Sequence, residues 1–210
     1  MYMNRVPQTI DDNVKRLINK IKTTEKPIYL DVMPEPYAEI NECFPAVTQK
    51  IEKEGGSVQL GWQIWQIPNV IIEAEFHAVW KSRDGILTDI TPKSENILRI
   101  LFIPDSKAEY DGAQRNNIRV NISGNRLVDD FIRICDTIYK LNNRGERAYQ
   151  NKICLSKEES EVHQMLHVTK GLVSDMIENG SSKNSRCICG SGDKYKHCHG
   201  KLLVDLLSIA

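Results

Sequence analysis

Residues 61–92, GWQIWQIPNVIIEAEFHAVWKSRDGILTDITP, leave this chain few folds to choose from. β-Branched and aromatic residues dominate the run, and two turn signals, Pro68-Asn69 and Asp84-Gly85, cut it. Punctuation of that kind predicts three antiparallel strands joined as a meander. The middle strand carries His77 and the third carries Asp89. A second connection of about five residues, centred on Arg83, would set His77 opposite Asp89. A carboxylate beside an imidazole fixes its tautomer and stabilises the imidazolium. Strand alternation puts Glu73 and Glu75 on the His77 face. They read either as acids lining a cleft that prefers a basic substrate or as solvated charges.

The flanking segments predict helices and short strands. Residues 8–24 space Ile10, Val14, Leu17, Ile18 and Ile21 as one helical face, with Thr9 as the expected cap. Pro27, Pro34 and Pro36 make the next stretch an extended connector with a short strand at 28–32. Residues 38–53 read as a helix that begins near Cys43, because Pro45 is tolerated only in a first turn. With Asn41 or Glu42 at the cap, Cys43 sits where a helix dipole and free N–H groups favour a thiolate. Gly55-Gly56 end this helix and lead into the first strand, 58–66. After Pro92, a strand is expected at 96–102, stopped by Pro104, then a polar loop at 106–117 and a short strand at 118–122. Residues 126–142 and 156–179 read as helices, the second opened by a Ser156/Glu159 capping box. Residues 180–185, GSSKNS, read as a flexible linker.

Charge and cysteine use narrow the function classes. The 210 residues carry zero net charge, so bulk electrostatics argue against a DNA partner. No apolar run reaches the roughly 18 residues of a membrane span, and no secretory signal opens the chain. Of six cysteines, Cys187, Cys189 and Cys198 crowd one stretch while Cys43, Cys135 and Cys154 are scattered. That is not a disulfide framework. It points to a reducing, cytoplasmic setting with cysteines used for metal and chemistry. Cys135 lies among apolar helical residues and reads as core. His163 and His167 share a helix face but lack a third ligand nearby.

A cysteine at a helix start, a histidine on a following strand and an aspartate on the next resemble the transglutaminase-like branch of the papain-like cysteine hydrolases. The words that carry the resemblance are ECF, FHAVW and LTDITP, within residues 41–92. Ala78 and Pro92 fit the pattern; the span from Cys43 to His77 is short for the family. The resemblance implies an α+β fold, a helix packed on an antiparallel sheet. It implies Cys43 as nucleophile, His77 as general base and acid, and Asp89 as the orienting carboxylate. The oxyanion donors would be the Cys43 N–H and one side chain, for which Trp62, Gln63 and Gln66 all qualify. The implied activity is thiol hydrolysis or acyl transfer at an amide of a protein or peptide: a peptidase, amidase or deamidase.

Residues 186–200 read RCICGSGDKYKHCHG: Cys-x-Cys, eight residues, then Cys-His. Three thiolates and an imidazole make the closed tetrahedral shell of structural zinc. Gly190 and Gly192 allow the tight turn that brings the backbone back to a metal. The stretch resembles the SEC-C motif, a short zinc module best known from the tail of the bacterial preprotein translocase ATPase. That family places the last ligand directly after the third cysteine. The implied ligands are therefore Cys187, Cys189, Cys198 and His199, with His197 set aside and one Zn2+ per chain. In that family such modules dock onto a chaperone and the ribosome. Lys183, Arg186, Lys194, Lys196 and Lys201 surround the knuckle here and suit such a contact, or simply keep an exposed module soluble. The expected organisation is an α+β domain over residues 1–180 and a zinc module with a tail helix over 181–210. A non-enzymatic zinc-binding adaptor is the alternative to an enzyme.

Overall fold

The computed structural model describes residues 5–94, 96–150 and 152–209. In chain order the elements are α1 (Asp12–Ile21), β1 (Ile28–Asp31), α2 (Cys43–Glu54), β2 (Ser57–Ile67), β3 (Ile71–Lys81), β4 (Leu87–Thr88), β5 (Arg99–Pro104), β6 (Ile118–Asn121), α3 (Arg126–Asn142), α4 (Lys157–Glu178) and α5 (His199–Ile209). All strand pairs are antiparallel, in the order β1-β5-β2-β3-β4, with β6 also on β3. The expected mixed α and β architecture around an antiparallel sheet is present.

The long hairpin of β2 and β3 is the spine, paired from Ser57↔Lys81 to Ile67↔Ile71. The other edge of β3 is divided between two short strands. β6 covers Ile71 to Ala74 and β4 covers Trp80 and Lys81. Between them, residues 75–79 have no ladder partner on that edge among the described residues. His77 lies in this gap.

The expected meander is thus cut short. β4 has only two residues, and its register, Trp80↔Thr88, lies two residues away from the one that sets His77 opposite Asp89. The turn explains the shift. Ser82 N–H bonds the Ile86 carbonyl at 2.9 Å, and Gly85 takes φ 84°, so the connection centres on Asp84 rather than Arg83. Asp89 then leaves the hairpin and bridges in parallel to Val32.

Two further expectations at element ends need correction. Asp11, not Thr9, caps α1: its carboxylate accepts the Val14 N–H at 2.9 Å. Asp11 stands at the position from which a side chain reaches the third helical N–H. The strand at 96–102 begins at Arg99 and runs through Pro104, which can close a strand because its missing N–H costs nothing there.

Helix α1 buries Val14 and Leu17 against Ile64, Ile72, Leu101 and Ile103. Helix α2 packs Ala46 and Val47 on Ala78 and Ile90. A second core joins α3 and α4 to the tail, through Leu127, Ile134, Val173 and Met176 on one side and Tyr195, Leu203 and Leu206 on the other. Residues 180–185 are therefore not a free tether. Asn125 Nδ2 donates to the Ser181 carbonyl at 2.7 Å, and Lys183 Nζ lies 2.7 Å from Asp130 Oδ1. Tyr195, fully buried, donates its hydroxyl to Asp130 Oδ2 at 3.2 Å. Burial and the neighbouring carboxylate push that phenol's pKa up, so it stays a donor. Asp130→Ala would leave the Tyr195 hydroxyl buried without a partner. A loss of about 1–3 kcal/mol is expected, read by denaturant unfolding.

Candidate functional site

Two clusters carry chemistry, one at the gap in the sheet edge and one in the tail. The first is built by three elements. α2 starts at Cys43 as anticipated, with Glu42 in the capping position and no side-chain cap on the first turn. Asn41 precedes it with φ 67°, a left-handed conformation that redirects the chain into the helix. β3 supplies His77, and the segment after β4 supplies Asp89. Cys43, His77 and Asp89 are 6, 5 and 0% exposed.

His77 Nε2 lies 3.2 Å from Asp89 Oδ2, an ion pair rather than an aligned hydrogen bond. The contact expected from the sequence forms, but Asp89 reaches His77 from the segment after β4 instead of from a directly opposed strand position. Cys43 lines the same pocket as this imidazole and favours its charged form. Burial pushes the His77 pKa down, but Asp89 and then Cys43 outweigh it and hold it up at about 9. Burial likewise pushes Asp89 up, and His77 with Lys93 overrides it, holding the carboxylate down at about 2.

The pair makes stability depend on pH in a defined way. The His77 contribution is present below its ordinary pKa of about 6.5 and is lost as pH rises through the folded value. The Asp89 contribution is present above about pH 3.9 and is lost as pH falls through its folded value. Asp89→Asn is expected to lower the His77 pKa, because burial is then opposed by Cys43 alone. An NMR titration of the His77 ring protons checks this.

Two residues complete the cluster, and the sequence singled out only one of them. Gln63, on β2, is 1% exposed and lines the same pocket of about 140 Å³ as Cys43 and His77. Of the three oxyanion candidates, Trp62 instead donates its indole N–H to Asp105 at 3.2 Å. Gln66 is absent from the pocket lining. Lys93 was missed. Its side chain is 8% exposed, with Nζ 2.6 Å from Asp89 Oδ2 and 2.9 Å from Gln63 Oε1. Its position four residues after Asp89 was the only available signal.

Glu75 lines the pocket and accepts the Trp65 indole N–H at 2.7 Å, whereas Glu73 pairs with Arg119 at 3.0 Å. Asn41, Phe44, Glu75 and Phe76 also line a broader cleft of about 880 Å³, giving the pocket an approach from solvent.

The second cluster is the tail knuckle. Gly190 and Gly192, with φ 85° and 82°, turn the loop back on itself. Cys187 Sγ lies 3.3 Å and Cys198 Sγ 3.4 Å from His199 Nδ1, and Cys189 Sγ is 3.5 Å from Cys198 Sγ. All four ligand atoms fall within 4.8 Å of one another. Tetrahedral zinc, with Zn–S of about 2.3 Å and Zn–N of about 2.0 Å, separates its ligands by about 3.5–3.8 Å. The donor set and its spacing therefore fit a structural zinc. His197 is exposed and outside the cluster. His163 and His167 lie with their ring centroids 4.4 Å apart and their planes tilted by 51°, without joining any group of three metal-binding side chains among the described residues.

A family model described as the SEC-C motif matches residues 184–201, so the zinc-binding module read in the tail is present. Over 174 residues the chain is 26% identical to the protein translocase subunit SecA of Aliarcobacter butzleri (strain RM4018), covering 81% of this chain and 19% of that protein. It is 80% identical over 20 residues to the protein translocase subunit SecA of Verminephrobacter eiseniae (strain EF01-2), covering 10% of this chain and 2% of that one. The chain thus spans less than a fifth of the length of either relative. No solved structure matches. The matched family lies in the tail, and no match supports a transglutaminase-like or papain-like core. Among the described residues, no helix is long and apolar enough to cross a membrane.

Proposed function

We propose that this protein is a zinc-dependent docking protein that works beside protein translocation. The Cys187, Cys189, Cys198 and His199 cluster inside a SEC-C motif carries the reading, and the SecA similarity supports its context. Zinc supplies the folding energy of the knuckle, which is too small to build a core alone. Arg186, Lys194, Lys196 and Lys201 stay exposed around it and form a basic face for an acidic protein surface or ribosomal RNA. Co-sedimentation of the purified protein with ribosomes tests this, alongside titration with a purified translocase-associated chaperone. Binding to one of them, abolished when zinc is chelated, is expected. Binding to neither, or binding indifferent to zinc, sinks the proposal.

A second reading is favoured by the pocket at the sheet edge. Cys43, His77 and Asp89 meet there with an unpartnered Gln63 Nε2 in the lining, the parts list of a thiol acyl-transfer site. In this reading His77, with its pKa held up at about 9, already carries the proton taken from the thiol when the Cys43 sulfur attacks an amide carbonyl carbon. The C=O electron pair moves onto oxygen, where the Gln63 amide and the Cys43 N–H receive the charge. The C–N bond then breaks as His77 returns the proton to the leaving nitrogen. Water or an amine attacks the thioester and restores the thiol. A papain- or transglutaminase-like identity of the core belongs to this reading, as does a protein or peptide amide as substrate. The two readings are compatible, with the knuckle delivering the site to its substrate.

We further propose that residues 1–180 fold as a unit without the zinc module of 181–210. The hydrophobic clusters under α1 and α2 draw nothing from the tail. A chain ending at residue 180 is expected to keep one cooperative thermal transition at a lower temperature, because the α3 and α4 face is then bare. Loss of any cooperative transition would place the tail inside the folding unit.

A further inference from the structure

Lys93 is a lysine with almost no access to water, 8% exposed, between two side chains of the pocket. Its ammonium can only donate. Gln63 Oε1 accepts from it at 2.9 Å, so the other end of the Gln63 amide, Nε2, is turned away from Lys93. That Nε2 is buried, has no partner and belongs to the side chain that lines the pocket with Cys43 and His77. A buried donor without a partner carries a free-energy cost that a ligand atom can relieve.

Lys93 also meets Asp89 on the oxygen that His77 uses. Nζ is 2.6 Å and His77 Nε2 3.2 Å from Oδ2, while Oδ1 accepts the Thr91 N–H at 3.0 Å. The ionisable groups lining the pocket are Cys43, Glu75, His77 and Lys93, with Asp89 behind them.

We propose that Lys93 is a positioning residue for the thiol site: it locks the Gln63 amide with its N–H end facing the carbonyl oxygen under attack and shares the Asp89 charge with His77. The proposal rests on the thiol reading above and adds the device that makes Gln63 a donor rather than an acceptor. Without the ammonium, the amide is free to flip. Its oxygen would then face the developing oxyanion and repel it. The lysine thus works through its neighbours and touches no reacting atom.

Two probes separate its role from that of the nucleophile. Iodoacetamide alkylates a thiol with no oxyanion formed, whereas p-nitrophenyl acetate acylates it through one. Lys93→Met and Gln63→Leu are each expected to slow acylation of Cys43 about 100-fold while alkylation at pH 7 changes only a few-fold. The double variant should be no slower than either single one, because the two residues act as a unit. Lys93→Arg, which keeps a cationic donor, should recover part of the rate. Multiplied losses in the double variant, or normal acylation in Lys93→Met, overturn the proposal. Gln63→Glu keeps a partner for Lys93 but replaces the cavity donor by an acceptor. It should lose acylation and keep alkylation even if Lys93→Met fails to fold, and normal acylation there also overturns the proposal. A Cys43 inert to both probes in the unaltered protein defeats the thiol reading alone. The placement of Lys93 is then decided by an NMR titration of His77 in Lys93→Arg and Lys93→Met. Removing the ammonium should raise the His77 pKa by about one unit, and an unmoved titration rejects the charge sharing.

Discussion

The Cys187→Ser, Cys189→Ser double variant is expected to lose its zinc and, with it, the order of the whole tail. Elemental analysis should fall from one zinc per chain to none, because two ligands cannot hold the ion against solvent and chelators. The structural cost extends past the knuckle. Tyr195, Leu203 and Leu206 sit in one core with Leu127, Val173 and Met176, and their placement depends on the loop that the metal closes. Structural zinc supplies about 10–16 kcal/mol in isolated zinc-finger peptides. Even a small share of that, about 4 kcal/mol, lowers the Tm of a chain this long by about 10 °C. Retention of zinc in the double variant would place the ligands elsewhere. A lost metal with an unchanged Tm would mean the tail packs without it.

His77→Ala is expected to cut the alkylation of Cys43 at pH 6–7 by about tenfold or more, because the imidazolium that stabilises the thiolate is gone. In the unaltered protein Cys43 should react ahead of Cys135, whose thiol burial pushes up. Asp89→Asn should slow Cys43 less, since the carboxylate acts only through the imidazole. The exposed Cys154 and Cys189 also react, so the labelled peptides must be separated by mass. A Cys43 that stays unlabelled in the folded protein leaves the docking reading standing and removes the chemical one.

Local patterns were legible where neighbours in sequence are neighbours in space. The bounds of α3 match the helical periodicity of residues 126–142, and the Ser156/Glu159 capping box forms as read. The four tail ligands come together because a loop of a few residues contains all the information needed to close it. The hairpin register failed by two residues because it hangs on a single turn. Nothing in Ser82-Arg83-Asp84-Gly85 alone says which residue will be central, and Gly85 decided it by taking the left-handed position. Lys93 was invisible for another reason. In sequence it is one lysine among polar neighbours, and only the return of the chain past β3, after Asp89 bridges to Val32, buries it. The Asp130–Tyr195 contact spans 65 residues and likewise has no local signature.

The seat of Tyr195 on Asp130 makes metal affinity a property of the helices as well as of the ligands. If an occupied knuckle steadies α3 and α4, reciprocity requires that α3 and α4 strengthen the hold on the ion by the same free energy. Lys183 and Tyr195, both anchored on Asp130, are two of the handles through which that exchange runs. A substitution in α3 that touches no ligand should therefore make zinc easier to strip. A partner that grips the helical layer would change how tightly the tail keeps its zinc.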